Sequence, residues 1–267
     1  MASTMKAWHF TSPGTISKIL SLADNTPKPA DEEIKNGRIL IKVARACINP
    51  ADYKVPELGQ VSRALVSYPK TPGMDLCGRV VAVADDVHDV EVGRLVIARV
   101  NPLGSRGALS EYAIAELDGY GTIADDIDLD QAAGAPTAAL TAFQTIAPYV
   151  KKGDKVFING GSGGVGTFGI QIAKILGCHC NVIEELESRG EQFAVVVDNV
   201  GDSPANLFNE CHKFLVPDKN GGYVFVGGHL ASWMEEGRLK TVVDSVFEFD
   251  QAHEAFEHLK RDHVLEK

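Results

Sequence analysis

At 267 residues the chain suits two modest domains or one large one, and 45% hydrophobic with 23% charged residues marks an ordinary globular protein able to bury a real core. A formal net charge of −10, with no block of Lys and Arg, argues against nucleic acid or an anionic membrane as the main partner, while leaving room for a local basic pocket for a phosphate. No apolar run approaches the ~20 residues of a membrane span. The N-terminal MASTMKAWHF has neither a secretory apolar core nor an Arg-rich amphipathic presequence, so a cytoplasmic protein is expected. The five cysteines, Cys47, Cys77, Cys178, Cys180 and Cys211, are odd in number and form no C-x-x-C pair, which reads as reduced thiols.

The first hundred or so residues read as β-rich. Residues 38–48 (RILIKVARACI) alternate, with Ile39, Ile41 and Val43 on one face and Leu40 on the other. Two further valine-rich strands are predicted at 78–84 and 93–100, and 109–115 closes the series. Gly, Pro or Asp flank each, the punctuation of an all-β unit. Between the first two strands, NPADYK at 49–54 is a turn entering a short helical piece that Asp52 can cap, followed by a polar loop to Pro72.

Near Asp125 the pattern changes. Asp128 or Asp130 is placed to cap a helix running through Ala135, and 138–148 reads as a second helix with Leu140, Phe143 and Ile146 apolar. A short apolar run at 156–158 then suits a buried parallel strand. Behind it Gly161-Ser162-Gly163-Gly164-Val165-Gly166 fits G-x-G-x-x-G, and Ile170, Ala173, Lys174 and Ile175 follow at near-helical spacing up to Gly177, a natural stop. In that strand–turn–helix setting, glycines permit a tight turn, close approach of a pyrophosphate and close helix–strand packing. The helix N-terminus offers N–H groups to the phosphates. The alternative is a tight βα turn that binds nothing. Residues 178–181 begin a second strand, 193–198 (FAVVVD) form a buried one, 205–215 a helix and 223–226 another strand, an alternation that predicts a doubly wound parallel sheet. A strand at 242–249 and a helix at 251–260, with Ala252, Ala255, Phe256 and Leu259 on one side, end the chain.

INPADYKV at 48–55, GALSEYAI at 107–114, AALTAFQTI at 138–146, GGSGGVG at 160–166 and DNVG at 198–201 occur in an order that resembles the medium-chain dehydrogenase/reductase superfamily, and within it the zinc-free quinone-oxidoreductase (zeta-crystallin-like) branch. The resemblance implies an α/β protein: a GroES-like β domain for the substrate over residues 1–125, a Rossmann domain for NADPH over 126–230, and a return segment over 231–267. It implies an NADPH-dependent, zinc-independent reductase that transfers hydride to a quinone or an α,β-unsaturated carbonyl, with a small-molecule substrate, no nucleic-acid or membrane partner, and room for a homodimer. The alternative is a non-catalytic NADPH-binding sensor or partner protein.

Zinc relatives carry a Cys where this chain has Asn49 and a Gly-His-Glu where it has Gly73-Met74-Asp75, and a thioether is a poor Zn²⁺ ligand. Cys47 falls on a strand and reads as core. In Cys178-His179-Cys180, strand alternation turns His179 away from both thiols, so no metal site is expected. Carbonyl polarisation then falls to hydrogen-bond donors. The resemblance puts Asn49 and Tyr53 near nicotinamide and substrate, with the Tyr53 phenol as the donor; the alternative for Tyr53 is packing of a loop. It also gives Thr141 to the nicotinamide-side phosphate. Asn199, just after a buried strand, sits at the C-terminal edge where ligands of such sheets bind, and Gly227 is a further expected nucleotide contact. His9, His88, His212, His229, His253, His258 and His263 lie in no triad-like context.

Two places depart from the family. Cys180 passes directly to Asn181-Val182-Ile183-Glu184-Glu185, where relatives insert a βαβ unit of roughly 30 residues. Gly227-Gly228 leads almost at once into LASWMEEGRLK, and HVLEK lacks the final valine-rich strand. Glu184 or Glu185 stands where a ribose-binding acid would suggest NAD, but both resemble part of a displaced helix, and NADPH is the cofactor the resemblance favours. Either the chain is truly shortened or segments are missing between these residues. The second account is the expectation, because a sheet stripped of interior strands leaves backbone groups unpaired. It predicts a Cα separation well above ~3.8 Å at Cys180–Asn181 and at a step between Gly227 and Ala231.

Overall fold

The computed structural model describes residues 3–181, 193–200 and 233–265. The chain divides into two units, one drawn from Met1–Thr137 and Val243–Glu266, the other from Ala138–Val242.

In the first unit β1 (Thr4–His9) and β2 (Ser21–Pro27) pair antiparallel around the one-turn α1 (Ile16–Ile19). The main sheet follows from the alternating segments: β3 (Ile39–Cys47), β4 (Asp75–Val83), β5 (Leu95–Arg99), β6 (Tyr112–Ala115) and β7 (Tyr120–Thr122), in the order β6-β3-β4-β5-β7 with every pair antiparallel. Its apolar side chains meet in one core of Ile39, Ile41, Leu76, Val80, Val96 and their neighbours, each worth about 1.5–3 kcal/mol on burial. Between β3 and β4 lie α2 (Pro50–Glu57) and α3 (Gln60–Leu65), so the expected polar loop contains a second short helix. Asp128 caps α4 (Leu129–Ala133), accepting from the N–H groups of Asp130 and Gln131, and the helix stops two residues short of Ala135. The last helix, α7 once α5 and α6 of the second unit are counted, spans Ala252–Leu265. Ala252 and Phe256 join Trp8, Phe10, Ile16, Leu20 and Tyr53 in a separate apolar cluster.

Helix α5 (Pro136–Ile146) begins in the first unit and continues into the second. There β8 (Lys155–Asn159), α6 (Gly164–Ile175), β9 (His179–Asn181) and β10 (Val195–Asp198) form a parallel sheet of order β10-β8-β9 among the described residues. The buried centre of β8 packs with Ile146, Ala173, Cys178 and Val197. Gly177 ends α6 at φ +77°, its N–H donating to Lys174 O while Cys178 N–H reaches Ala173 O; this six-to-one closure needs a left-handed residue.

Two expectations change. The strand expected at 242–249 is not formed: residues 241–248 carry no strand and 249–251 form a single 3-10 turn, with Val242 and Val246 67% and 61% exposed. The chain does not break at Cys180–Asn181. Both residues lie in β9, paired in unbroken register with Val156 and Phe157. Strand β9 still has a partner, which removes the objection that a shortened sheet must leave it bare. The step between Gly227 and Ala231, the helix at 205–215, the strand at 223–226, and residues 182–185 lie outside the described residues. No described helix is long and apolar enough to cross a membrane.

Candidate functional site

In the first unit, Asn49 ends the run-out of β3 and is the N-cap of α2, at φ −122° and ψ 158°. Two buried carboxylates hold it. Asp52 Oδ2 accepts from the Asn49 backbone N–H (2.8 Å) while Asp52 Oδ1 accepts from Gly73 N–H (2.9 Å), so Asp52 is the returning half of a capping box and also ties α2 to the segment before β4. Asp75 opens β4, the strand between β3 and β5, and is wholly buried. Its Oδ2 accepts from Asn49 Nδ2 and Thr137 N–H, both at 3.0 Å, and its Oδ1 from the Thr137 hydroxyl at 2.6 Å.

Burial dominates the electrostatics. It pushes Asp52 up to about 7 and Asp75 up to about 6, against the stabilising pull of the hydrogen bonds each accepts. Lys70, 6% exposed, donates to Gly104 O, and burial lowers it to about 8 although Asp52 pulls the other way. Tyr53 lies one helical turn beyond Asn49 but in different surroundings. Its ring packs in the cluster of Trp8, Phe10 and Phe256 with the Lys260 ammonium 5.4 Å from its centroid, and burial raises its phenol. The structure therefore gathers Asn49, Asp52 and Asp75, and sets Tyr53 among apolar groups beside Lys260.

These residues do not fit a zinc ion. The Asn49 amide is spent on Asp75, Met74 is a thioether, and Cys47 is pushed up to about 12 by burial and by the Asp75 and Asp52 charges, so it remains a thiol. Among the described residues no group of three or more His, Cys, Asp and Glu could hold a metal.

In the second unit the glycine run joins β8 to α6. Gly160 takes φ +69°, which starts the tight turn one residue before the Gly161 of the motif. Gly166 is the packing glycine: a Cβ there would lie 2.0 Å from Gly160 O. At Gly163, the N-cap of α6, and at Gly164, an added Cβ would meet only Gly160 O at 3.6 Å or Ala138 Cβ at 3.8 Å, ordinary contacts. The N–H groups of Gly164, Val165 and Gly166 belong to the first turn and have no earlier carbonyl within the helix. This open, donor-rich turn fits a dinucleotide pyrophosphate. Asn199 stands beside it, its backbone and side-chain nitrogens both donating to Asn159 O (3.3 and 3.0 Å), and its Cβ 3.2 Å from where a Gly160 Cβ would be. Thr141 is half-buried on α5, and its carbonyl accepts from Thr145 Oγ1. Ser162 is exposed in the turn, and Gly227 lies outside the described residues.

Sequence reasoning missed Asp75 and Thr137. The signal was an acidic residue opening an apolar strand, DLCGRVVAV, because a charge at such a place needs partners. His258, which the sequence places in no triad-like context, meets Asp244 and Ser245. Its Nε2 meets both Asp244 Oδ2 and Ser245 Oγ, so both neighbours share one ring nitrogen. Nucleophile activation needs them on opposite nitrogens, so this is a hydrogen-bonded cluster and not a triad.

Residues 35–132 match the model of the alcohol dehydrogenase GroES-like domain, and residues 228–265 that of zinc-binding dehydrogenase. A trans-enoyl reductase of Aspergillus terreus is 34% identical over 321 aligned positions, covering 92% of this chain and 89% of the relative. A chloroplastic NADPH-dependent alkenal/one oxidoreductase of Arabidopsis thaliana is 29% identical over 307 positions, covering 98% and 78%. Among solved structures, the quinone oxidoreductase from Coxiella burnetii superposes with a TM-score of 0.81 at 26% identity, covering 98% of this chain and 97% of that one. Both sequence alignments are longer than the 267 residues of this chain, so they place gaps within it.

Proposed function

Because this chain belongs to the medium-chain dehydrogenase/reductase superfamily, we propose that it is an NADPH-dependent, zinc-independent reductase of a quinone or an α,β-unsaturated carbonyl. The observation that carries the reading is the β8–α6 turn: Gly160 at φ +69°, Gly166 pressed on its carbonyl, and space above Gly163 and Gly164. Relatives named a trans-enoyl reductase, an alkenal/one oxidoreductase and a quinone oxidoreductase support the substrate class. In this reading residues 126–230 hold the nucleotide. Gly161, Ser162, Gly163, Gly164, Val165 and Gly166 present backbone N–H groups to the pyrophosphate, with Thr141 and Asn199 as further contacts. When bound, the nucleotide supplies the hydride. Residues 1–125, with the return segment 231–267, hold the substrate, where Tyr53 donates to its oxygen and Asn49 orients it.

Mixing the protein with NADPH and an ortho-quinone or a simple enone should consume NADPH, followed by absorbance of the reduced nicotinamide. No turnover across a varied panel would remove the catalytic reading. A second reading, a non-catalytic NADPH-binding sensor or partner protein, is favoured by one feature, the unbroken β9 at the place where the family resemblance expects a further βαβ unit. It predicts a thermal shift with NADPH and no turnover.

A further inference from the structure

We propose that Asp75 is a positioning residue that fixes the Asn49 amide, so that Asn49 offers a ligand its carbonyl oxygen as a hydrogen-bond acceptor. The inference rests on the reading of Asn49 as a site residue. An ionised carboxylate only accepts hydrogen bonds, so the Asn49 group that meets Asp75 must be the NH₂, as the 3.0 Å Nδ2–Oδ2 contact has it. The amide is planar, and Oδ1 is therefore turned to the other side. Among the described residues no side-chain cap bond reaches Oδ1, because the Asp52 N–H donates to the Asn49 backbone carbonyl (2.9 Å). Asn49 itself is half-buried while Asp75 is wholly buried.

The anchor is rigid. Asp75 is held in β4 by ladder pairing to Cys47 on one side and Arg99 on the other, and the Thr137 N–H and hydroxyl fix the rotation of its carboxylate. The same Asn49 is fixed at its backbone by Asp52. Free rotation of the amide is thereby removed at both ends. The partner this geometry suits is a hydroxyl that donates, such as an enol, a hydroquinone or a sugar hydroxyl. A bare ketone oxygen, which only accepts, is left to another donor.

The test uses the full chain in two arms. In the first, without nucleotide, the side-chain amide signals of Asn49 are followed by ¹⁵N NMR and assigned by their loss in Asn49→Ala. One Nδ2 proton should exchange with solvent about tenfold more slowly than the other, the scale of one hydrogen bond. That protection should disappear in Asp75→Asn. Equal, fast exchange of both protons in the wild type overturns the proposal, and this measurement needs no Asp75 variant to fold. In the second arm, Asn49→Ala, Asp75→Asn and the double variant are compared for kcat/KM with NADPH and an enone. If Asp75 acts through Asn49, the double variant should lose no more than Asn49→Ala alone; multiplied losses overturn the proposal. A wild type that turns nothing over defeats the reductase reading, while the NMR arm still decides the role of Asp75.

Discussion

At the scale of single residues, the two buried aspartates give the molecule a pH response with a definite sign. In the unfolded chain Asp52 ionises near 3.8, whereas burial raises it to about 7 in the fold, and Asp75 to about 6. Between those values the folded state binds protons that the unfolded chain has released, so stability falls as pH rises through the window. The thermal midpoint should drop from about pH 5 to about pH 8, and drop less in Asp52→Asn, which cannot titrate. A midpoint that rises over this range, or an equal drop in the variant, contradicts the assignment. Tyr53 supplies a second residue-scale prediction. Tyr53→Phe keeps the ring in its cluster with Phe10 and Phe256, so the fold should be retained. Turnover should fall by about ten- to a hundredfold if the phenol polarises the substrate oxygen, a figure scaled down from oxyanion-hole donors. Full activity would return Tyr53 to a packing role beside Lys260.

At the scale of elements, the β8–α6 unit separates glycines that the packing requires from glycines with open space before them. Gly166→Ala forces a Cβ to within 2.0 Å of Gly160 O, a backbone atom with little room to yield. It should cost about 1–3 kcal/mol or more, read as a lowered denaturation midpoint. Gly164→Ala meets only Ala138 Cβ at 3.8 Å and should change stability by about 0.5 kcal/mol or less. Gly164→Val should also fold, yet its branches occupy the space in front of the first helical turn and should weaken NADPH binding, measured by nucleotide fluorescence. Unchanged affinity in Gly164→Val would count against this turn as the pyrophosphate site.

At the scale of the whole molecule, the feature to be explained is a chain shorter than its alignments to relatives. Strand β9 runs through Cys180 and Asn181 in parallel register with β8, and the alignments to an enoyl reductase and an alkenal/one reductase extend over more positions than this chain has residues. If the unit still binds nucleotide, NADPH in excess should raise the thermal midpoint by mass action, about 2.7 kcal/mol of stabilisation at a hundredfold excess over Kd. Parallel titration with NADH tests the cofactor preference. No shift with either would remove both the reductase and the sensor readings.

What the sequence determined by itself was local. Alternation over 38–48, the Asp128 cap, and the strand–glycine–helix order from Lys155 to Gly177 each depend on neighbours a few residues apart, so period and capping chemistry expose them. Motif order added the family. What only the tertiary structure decided was which distant groups meet. The valine-rich segment at 242–249 has the alternation of a strand, but a strand exists only where another pairs with it, and among the described residues none does. Asn49, Asp75 and Thr137 lie 26 and 62 residues apart along the chain. They share one carboxylate because β3, β4 and the start of α5 converge there, a consequence of sheet register that no local period records.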